Sequence, residues 1–161
     1  MTFITDLVGD LVQRGLVDRN DIRPCSEDEI SALMAAQGVT DIPVSYREFM
    51  SYAGRNPYWL SRMGEWDYEW LIEAKQIARE IVVEDYGRDF APYEDSFVFH
   101  THQGYIFFYF RGEDLKEFDP KFWIYYGKRP VSVSEKTFNE WISELADYLP
   151  DELENRRRYG M

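Results

Sequence analysis

Three segments in the first third of the chain repeat apolar residues every three or four positions, which predicts amphipathic helices. The first covers residues 3–13, and Gly15 is expected to end it. The second begins at Ser26 and the third at Ser45, and in both the serine stands three residues before a glutamate, as in a capping box. Gly54 follows the third segment and is predicted to end that helix.

A fourth helical pattern follows a predicted loop at residues 55–65 and is the longest of the set. It predicts one helix over residues 67–84, followed by a second loop at 85–95. The apolar positions that define it are Trp66, Trp70, Leu71, Ala74, Ile77, Ala78, Ile81 and Val82.

From residue 96 onward the pattern changes to the short, aromatic-rich and β-branched runs that are typical of strands. Residues 105–110 are apolar or aromatic without interruption, which predicts a strand covered on both faces. Gln103 and Gly104 are predicted to form the tight turn before it. The four predicted strands cover residues 96–102, 105–110, 122–126 and 130–133.

The chain ends in a further helical pattern, for which Ser134 is the expected N-terminal cap. After Pro150 the residues are charged, and we expect a frayed end. The sequence therefore predicts an α+β fold with N-terminal helices, a central antiparallel four-stranded meander and a closing C-terminal helix. We assign residues 1–150 to a single domain and residues 151–161 to a charged C-terminal tail.

The charge balance restricts the classes of partner. The 161 residues include 18 Lys and Arg against 30 Asp and Glu, a formal charge of −12. Such a surface disfavours direct nucleic-acid binding and anionic membranes, and it suits a basic protein partner. The chain has no long apolar run and a single cysteine, Cys25, so we expect a cytoplasmic protein without a disulfide. The pattern gives no prediction of oligomeric state.

Signatures of catalysis are weak. The sequence contains no phosphate-binding glycine loop and no Gly-x-Ser-x-Gly elbow. His100 and His102 are predicted on one face of a strand, where they could serve a metal with Glu94 or Asp95, or simply be two polar residues on a hairpin. We expect Cys25 to be a small, semi-buried residue. The prediction is a non-enzymatic protein without a cofactor.

Two groups of residues are candidates for contact with a partner. Residues 65–95 contain 10 acidic and 3 basic residues, and residues 113–119 are also mainly acidic. They either keep the surface solvated or present negative charge to a basic cleft. The loop aromatics either contact a partner or cover the edge of the sheet. The candidates are Tyr58, Trp59, Trp66, Glu94, Asp95, Glu113, Asp114, Glu117 and Asp119.

Three ordered blocks carry a family resemblance. They are residues 26–33 (SEDEISAL), 42–50 (IPVSYREFM) and 97–110 (FVFHTHQGYIFFYF), with a Pro-Val pair and a Phe/Trp helix after them. Together they resemble the SUKH superfamily, which includes fungal cell-wall-synthesis regulators and many bacterial immunity proteins. The region from residue 56 to 84 is the part expected to vary within such a family.

The resemblance implies an immunity protein. Such a protein binds the toxin domain of a polymorphic or contact-delivered bacterial toxin, in many cases a nuclease, and neutralises it by occlusion in the cytoplasm of the producing cell. Two alternatives stay open: a non-enzymatic regulatory scaffold that binds an endogenous protein, and a metal-dependent enzyme that uses His100 and His102.

Overall fold

The structure, a computed structural model, describes residues 2–160. Residues 1 and 161, the outer ends of the predicted domain and tail, lie outside the described residues. The helices and strands are α1 (Phe3–Gln13), α2 (Glu27–Ala36), α3 (Val44–Ala53), α4 (Tyr68–Leu71), α5 (Ala74–Arg79), β1 (Phe97–His102), β2 (Ile106–Phe110), β3 (Lys121–Tyr126), β4 (Ser132–Thr137) and α6 (Phe138–Tyr159). This order confirms the predicted α+β class. Within these residues, no helix has both the length and the apolar character needed to cross a membrane.

The four strands form one antiparallel sheet in the order β1-β2-β3-β4, which confirms the predicted meander. Gln103 and Gly104 have φ angles of 57° and 78°. Two consecutive residues with positive φ match the right-handed twist of the strands they join, so the pair forms a tight hairpin turn between β1 and β2.

Both faces of the sheet are covered, as predicted for residues 105–110. One face, the α6 face, carries Phe99, Phe108 and Phe110, and these rings pack against Tyr46 of α3 and Trp141 of α6. The opposite α5 face packs against α5 and the segment that follows it. Its buried side chains include Val98, Phe107, Tyr109 and Tyr125. The core is therefore two layers of aromatic packing on either side of one sheet.

Backbone groups on the outer edge of β1 are satisfied by the loops beside it. The side chain of Gln37, which is 1% exposed, accepts from Val98 N (2.7 Å) and donates to Val98 O (2.8 Å). Farther along, the backbone of Glu65 pairs with Thr101 in both directions. Since these bonds occupy edge groups that would otherwise recruit another strand, β1 is protected from edge pairing.

The prediction of one continuous helix over residues 67–84 is wrong. The chain forms α4, leaves helical geometry near Glu73 (φ −103°, ψ 0°), and resumes as α5 and a π-helical turn, Glu80–Asp85. Most of the apolar positions are nevertheless buried, including Ile81 and Val82, whereas Trp70 is 39% exposed. The wider π turn shifts the helical register, and two adjacent apolar residues both reach the core. Hydrophobic spacing thus identified the buried face and missed the breaks.

The predicted capping box at Ser45 is also wrong. Helix α3 begins at Val44, with Pro43 as its N-cap and without a side-chain cap. Its first N–H groups donate instead to the carbonyls of Glu117 (3.4 Å) and Phe118 (2.8 Å). A distant loop therefore replaces the expected side chain, which no local pattern reveals. The box at Ser26 is confirmed by both of its reciprocal hydrogen bonds with Glu29.

The predicted start of the last helix at Ser134 is wrong, because Ser134 lies within β4. The N-cap of α6 is Thr137, whose hydroxyl accepts from Glu140 N (3.2 Å), while the Glu140 carboxylate accepts from Thr137 N (3.0 Å). This reciprocal pair lowers the pKa of Glu140, since the hydrogen bonds favour the ionised carboxylate.

Thr137→Ala is expected to lower the free energy of unfolding by about 1 kcal/mol, because one N-terminal N–H of α6 loses its acceptor. Urea denaturation followed by circular dichroism measures the change. Glu135→Ala, at an exposed position of β4, is the matched control and should leave the midpoint within error. Equal midpoints for both variants would show that this cap contributes nothing to stability.

The expected frayed end after Pro150 is wrong as well. Helix α6 continues to Tyr159 and ends at Gly160, which has a left-handed φ of 68°. Pro150 has no N–H for the preceding turn, yet Leu149 before it is 0% exposed and Leu153 after it packs on the core. Burial on both sides of the proline outweighs the one missing hydrogen bond.

Candidate functional site

Two of the predicted contact aromatics lie in the core. Trp66 is 1% exposed, its ring is stacked on Phe49 at 5.3 Å, and its indole N–H donates to Ser61 O. Trp59 is 8% exposed. Burial favours the alternative that these rings cover the edge of the sheet, so in this conformation Trp66 offers a partner no surface.

Tyr58 is half-buried, and its hydroxyl donates to the Asp67 carboxylate at 2.5 Å. Burial and then this hydrogen bond raise the pKa of Tyr58 to about 12. Asp67 also accepts from Trp70 N and so caps α4. Tyr58 therefore holds the start of α4, and only part of its ring is available to a partner.

Three of the predicted acidic residues come together around Arg111. Glu113 is 2.9 Å and Asp114 3.7 Å from the Arg111 guanidinium, and a Cβ on Gly112 would overlap the Asp95 carboxylate. Asp95 and Glu113, but not Asp114, line a groove of about 370 Å³ on the α5 face, which we call the Arg111 groove. Its lining residues are Pro92, Tyr93, Asp95, Tyr109, Arg111, Gly112, Glu113, Trp123 and Val131.

Arg111 is held in a fixed position at the centre of this groove. Its guanidinium lies over the ring of Trp123 at 4.2 Å, in cation–π geometry. Tyr109 and Trp123 are paired across β2 and β3, and Arg111 follows Tyr109 by two residues, so the three side chains lie on the same side. The alternation of side chains along a strand is the sequence signal for this arrangement.

The groove combines one cation with several anions. Burial raises the pKa of Asp114, and Arg111 opposes that shift. Burial also raises the pKa of Tyr109 well above its ordinary value, so its hydroxyl stays protonated. With a flat aromatic floor and carboxylates at the rim, the groove is suited to binding polar or basic groups. It brings no nucleophile together with a base.

The other three acidic candidates lie elsewhere. Glu94 forms an ion pair with Arg79 at 2.5 Å, and both residues line a different groove from that of Arg111. The Glu117 carboxylate is exposed while its backbone helps to begin α3. Asp119 accepts from Asn139 N at 3.1 Å, near the start of α6. Structural roles thus account for part of the acidic composition.

The two histidines lie on one face of β1, as predicted. The centroids of their rings are 6.4 Å apart. Burial lowers the pKa of His100 to about 4, and its Nε2 is 2.8 Å from Met63 O. No group of three His, Cys, Asp or Glu side chains suitable for a metal ion occurs within residues 2–160. The sequence neighbours Glu94 and Asp95 face other regions, so the histidines gain no third ligand from them.

Cys25 is 4% exposed and packs close to Gly54, where an added Cβ would overlap its sulfur. Burial raises the pKa of the Cys25 thiol to about 11. A protonated, enclosed thiol is a poor nucleophile, which agrees with the expected packing role.

Comparison with known families gives one match. The model of the SMI1 / KNR4 family (SUKH-1) matches residues 24–144, about three quarters of the chain. The match spans α2 to the first part of α6 and includes the whole sheet. No curated protein and no solved structure matches this chain.

Proposed function

Because this chain belongs to the SMI1 / KNR4 family (SUKH-1), we propose that it is an immunity protein that binds and neutralises a cognate bacterial toxin domain. The family match over the whole sheet is the observation that carries this proposal. The protein acts by binding rather than by turnover, in the cytoplasm of the cell that makes the toxin.

The proposed contact surface is the Arg111 groove with its acidic rim. Asp95 and Glu113 line it, Asp114 is 3.7 Å from the Arg111 guanidinium, and Glu94 is adjacent to Asp95 in sequence. Against a net charge of −12, a basic toxin surface is attracted from a distance and docks faster at low salt. Trp123 and Tyr93 supply flat apolar area beneath the charges, as interface centres commonly do.

Inhibition is proposed to occur by occlusion. A domain of this size can cover a cleft with one standard interface of about 800 Å² per partner, which excludes the substrate without chemical change. If the toxin is a nuclease, the carboxylates occupy the place of substrate phosphates. Tyr58, Glu117 and Asp119 remain secondary contact candidates, since each already has a role within the fold.

A regulatory scaffold for an endogenous protein is the second proposal, since the resemblance to fungal cell-wall regulators also fits this family. Gene neighbourhood separates the two. A toxin gene beside this gene favours immunity, and a housekeeping context favours the scaffold.

The immunity proposal predicts that co-expression with the toxin encoded beside the gene restores growth and yields a complex at micromolar concentration. The double variant Asp95→Asn/Glu113→Gln is expected to slow association roughly tenfold, with little change in dissociation, because the rim charges act mainly on encounter. Surface plasmon resonance at low and high salt measures both rates.

The matched control is Asp6→Asn/Asp147→Asn, which removes two exposed carboxylates elsewhere. It changes the net charge equally and should leave association within about twofold. Equal slowing by both double variants would mean that net charge alone attracts the toxin. Absence of both rescue and complex would refute the immunity role.

A further inference from the structure

A second cavity, of about 280 Å³, opens on the α6 face at the hairpin end of the sheet. Ring and aliphatic side chains form most of its wall: His100, Phe108, Ile124, Tyr126, Trp141 and Leu145. No Asp, Glu, Lys or Arg lines it. Because a charged ligand would lose its hydration here without a compensating partner, the cavity is suited to a neutral, apolar molecule.

One polar atom in this wall has no partner. Nε2 of His100 lies 2.8 Å from Met63 O, and because a carbonyl can only accept, Nε2 carries the proton. Nδ1 therefore keeps a lone pair, and it is buried without a hydrogen-bond partner within the described part of the chain. Such an unpaired buried acceptor lowers the stability of the folded state, and a hydrogen bond from a suitable donor would restore it.

Phe108, Trp141 and Gly64 hold the imidazole in place. It stacks on Phe108 at 4.6 Å and 13°, and Trp141 meets it edge-on at 5.6 Å. Gly64, with a φ of 80°, lies so close that an added Cβ would overlap the ring. His100 itself is 3% exposed. The unpaired nitrogen is thus a fixed feature of the wall rather than one orientation of a mobile side chain.

We propose that this cavity binds a small, flat aromatic molecule that carries one N–H or O–H donor, and that the donor bonds to Nδ1 of His100. The flat rings of Phe108 and Trp141 suit a planar ligand. The cavity exceeds the volume of about 150 Å³ that accommodates benzene in an engineered apolar cavity. Nδ1 is shielded from solvent, so a donor reaches it only when a neighbouring side chain shifts, and Met63, at 64% exposure, is the most exposed residue of the lining.

This inference does not depend on the proposed immunity function, since the cavity shares no lining residue with the Arg111 groove. A ligand here would join β1, β2, β3 and α6, so it would stabilise the folded state in proportion to its occupancy.

The test compares two probes of the same shape, indole and indene, by calorimetric titration of the full-length protein. Indole has the N–H donor and indene lacks it. Indole is expected to bind one site about tenfold more tightly than indene, the value of one hydrogen bond to a buried acceptor. The nitrogen chemical shift of Nδ1 in ¹⁵N-histidine spectra should move with indole and not with indene.

Three variants define the site. Ile124→Trp fills the cavity and should abolish binding of both probes, whereas Tyr148→Trp, on the exposed side of α6, should leave both unchanged. His100→Phe removes the acceptor and should bring the indole-to-indene ratio close to one. No saturable indole binding, equal affinities in the unaltered protein, or binding that survives Ile124→Trp would each overturn the proposal. Thermal unfolding without probe verifies that each variant is folded.

Discussion

Phe99→Ala is expected to lower the free energy of unfolding by about 3–5 kcal/mol, the largest effect of any single substitution considered for this fold. Phe99 is 0% exposed. Its ring stacks on Phe110 at 4.5 Å and meets Phe122 and Phe138 edge-on at 5.3 and 5.6 Å. Truncation leaves a cavity where the sheet meets α6, and closely packed neighbouring rings collapse poorly into such a space.

Guanidinium denaturation followed by circular dichroism measures this loss. Phe118→Ala is the matched control, because the same ring is removed from a position that is 60% exposed, and it should change stability by less than about 0.5 kcal/mol. A loss below about 1 kcal/mol for Phe99→Ala would mean that the aromatic cluster relaxes around the cavity and is not rigidly packed.

Acidification from pH 7 to pH 4 is expected to destabilise the fold through His100. The pKa of the folded-state imidazole is about 4, against an ordinary value of 6.5. Between pH 6.5 and pH 4, His100 is protonated in the unfolded chain but stays neutral in the folded chain. The free energy of unfolding therefore falls as the pH drops, and the loss is complete below pH 4. The difference of about 2.5 pKa units corresponds to a loss on the order of 3 kcal/mol.

The difference in unfolding free energy between the unaltered protein and His100→Phe isolates this contribution, since every other titratable group is present in both. The gap between their unfolding free energies should shift by about 3 kcal/mol in favour of the variant between pH 7 and 4. His102 is the titratable group facing His100, and His102→Gln separates its effect. A gap that is constant with pH would show that His100 takes up its proton as readily in the folded chain as in the unfolded chain.

Local signals predicted most of the elements. Helix α1 was expected over residues 3–13 and is found there, and Ser26 caps α2 through the predicted reciprocal bonds. The turn at Gln103 and Gly104 also follows from the chain itself, because the residues that set the backbone angles are the ones in the turn. In each case the interacting groups are within a few positions of one another.

Errors occurred where a distant segment supplied the deciding contact. The start of α3 depends on carbonyls of Glu117 and Phe118, some seventy residues away. The end of α6 depends on burial of Leu149 and Leu153 against the core, which outweighs Pro150. Thr137 and Glu140 form a capping box that the sequence displays, but the choice between it and Ser134 required the length of β4.

For the candidate site, too, some features were predictable from the sequence and others were not. Composition alone identified an acidic chain, and the family-like blocks pointed to SUKH, which the match over residues 24–144 confirms. Which carboxylates meet was not predictable, because Asp95 and Glu113 approach through the packing of two loops around Gly112. Likewise, the burial of Trp66 was not predictable, because the sequence around a loop tryptophan does not show whether its ring packs in the core or is exposed to a partner.

The sequence by itself determined the α+β order, the meander, the charge and the family. Hydrophobic spacing and turn residues act between near neighbours in the chain, and the net charge is the sum over all residues. Only the tertiary structure decided where α3 and α6 begin, where α6 ends, which aromatics are covered, and that a neutral histidine with an unpaired nitrogen belongs to the wall of an apolar cavity. Those outcomes depend on which surfaces exclude water when distant segments pack, and burial of that kind is a property of the assembled core.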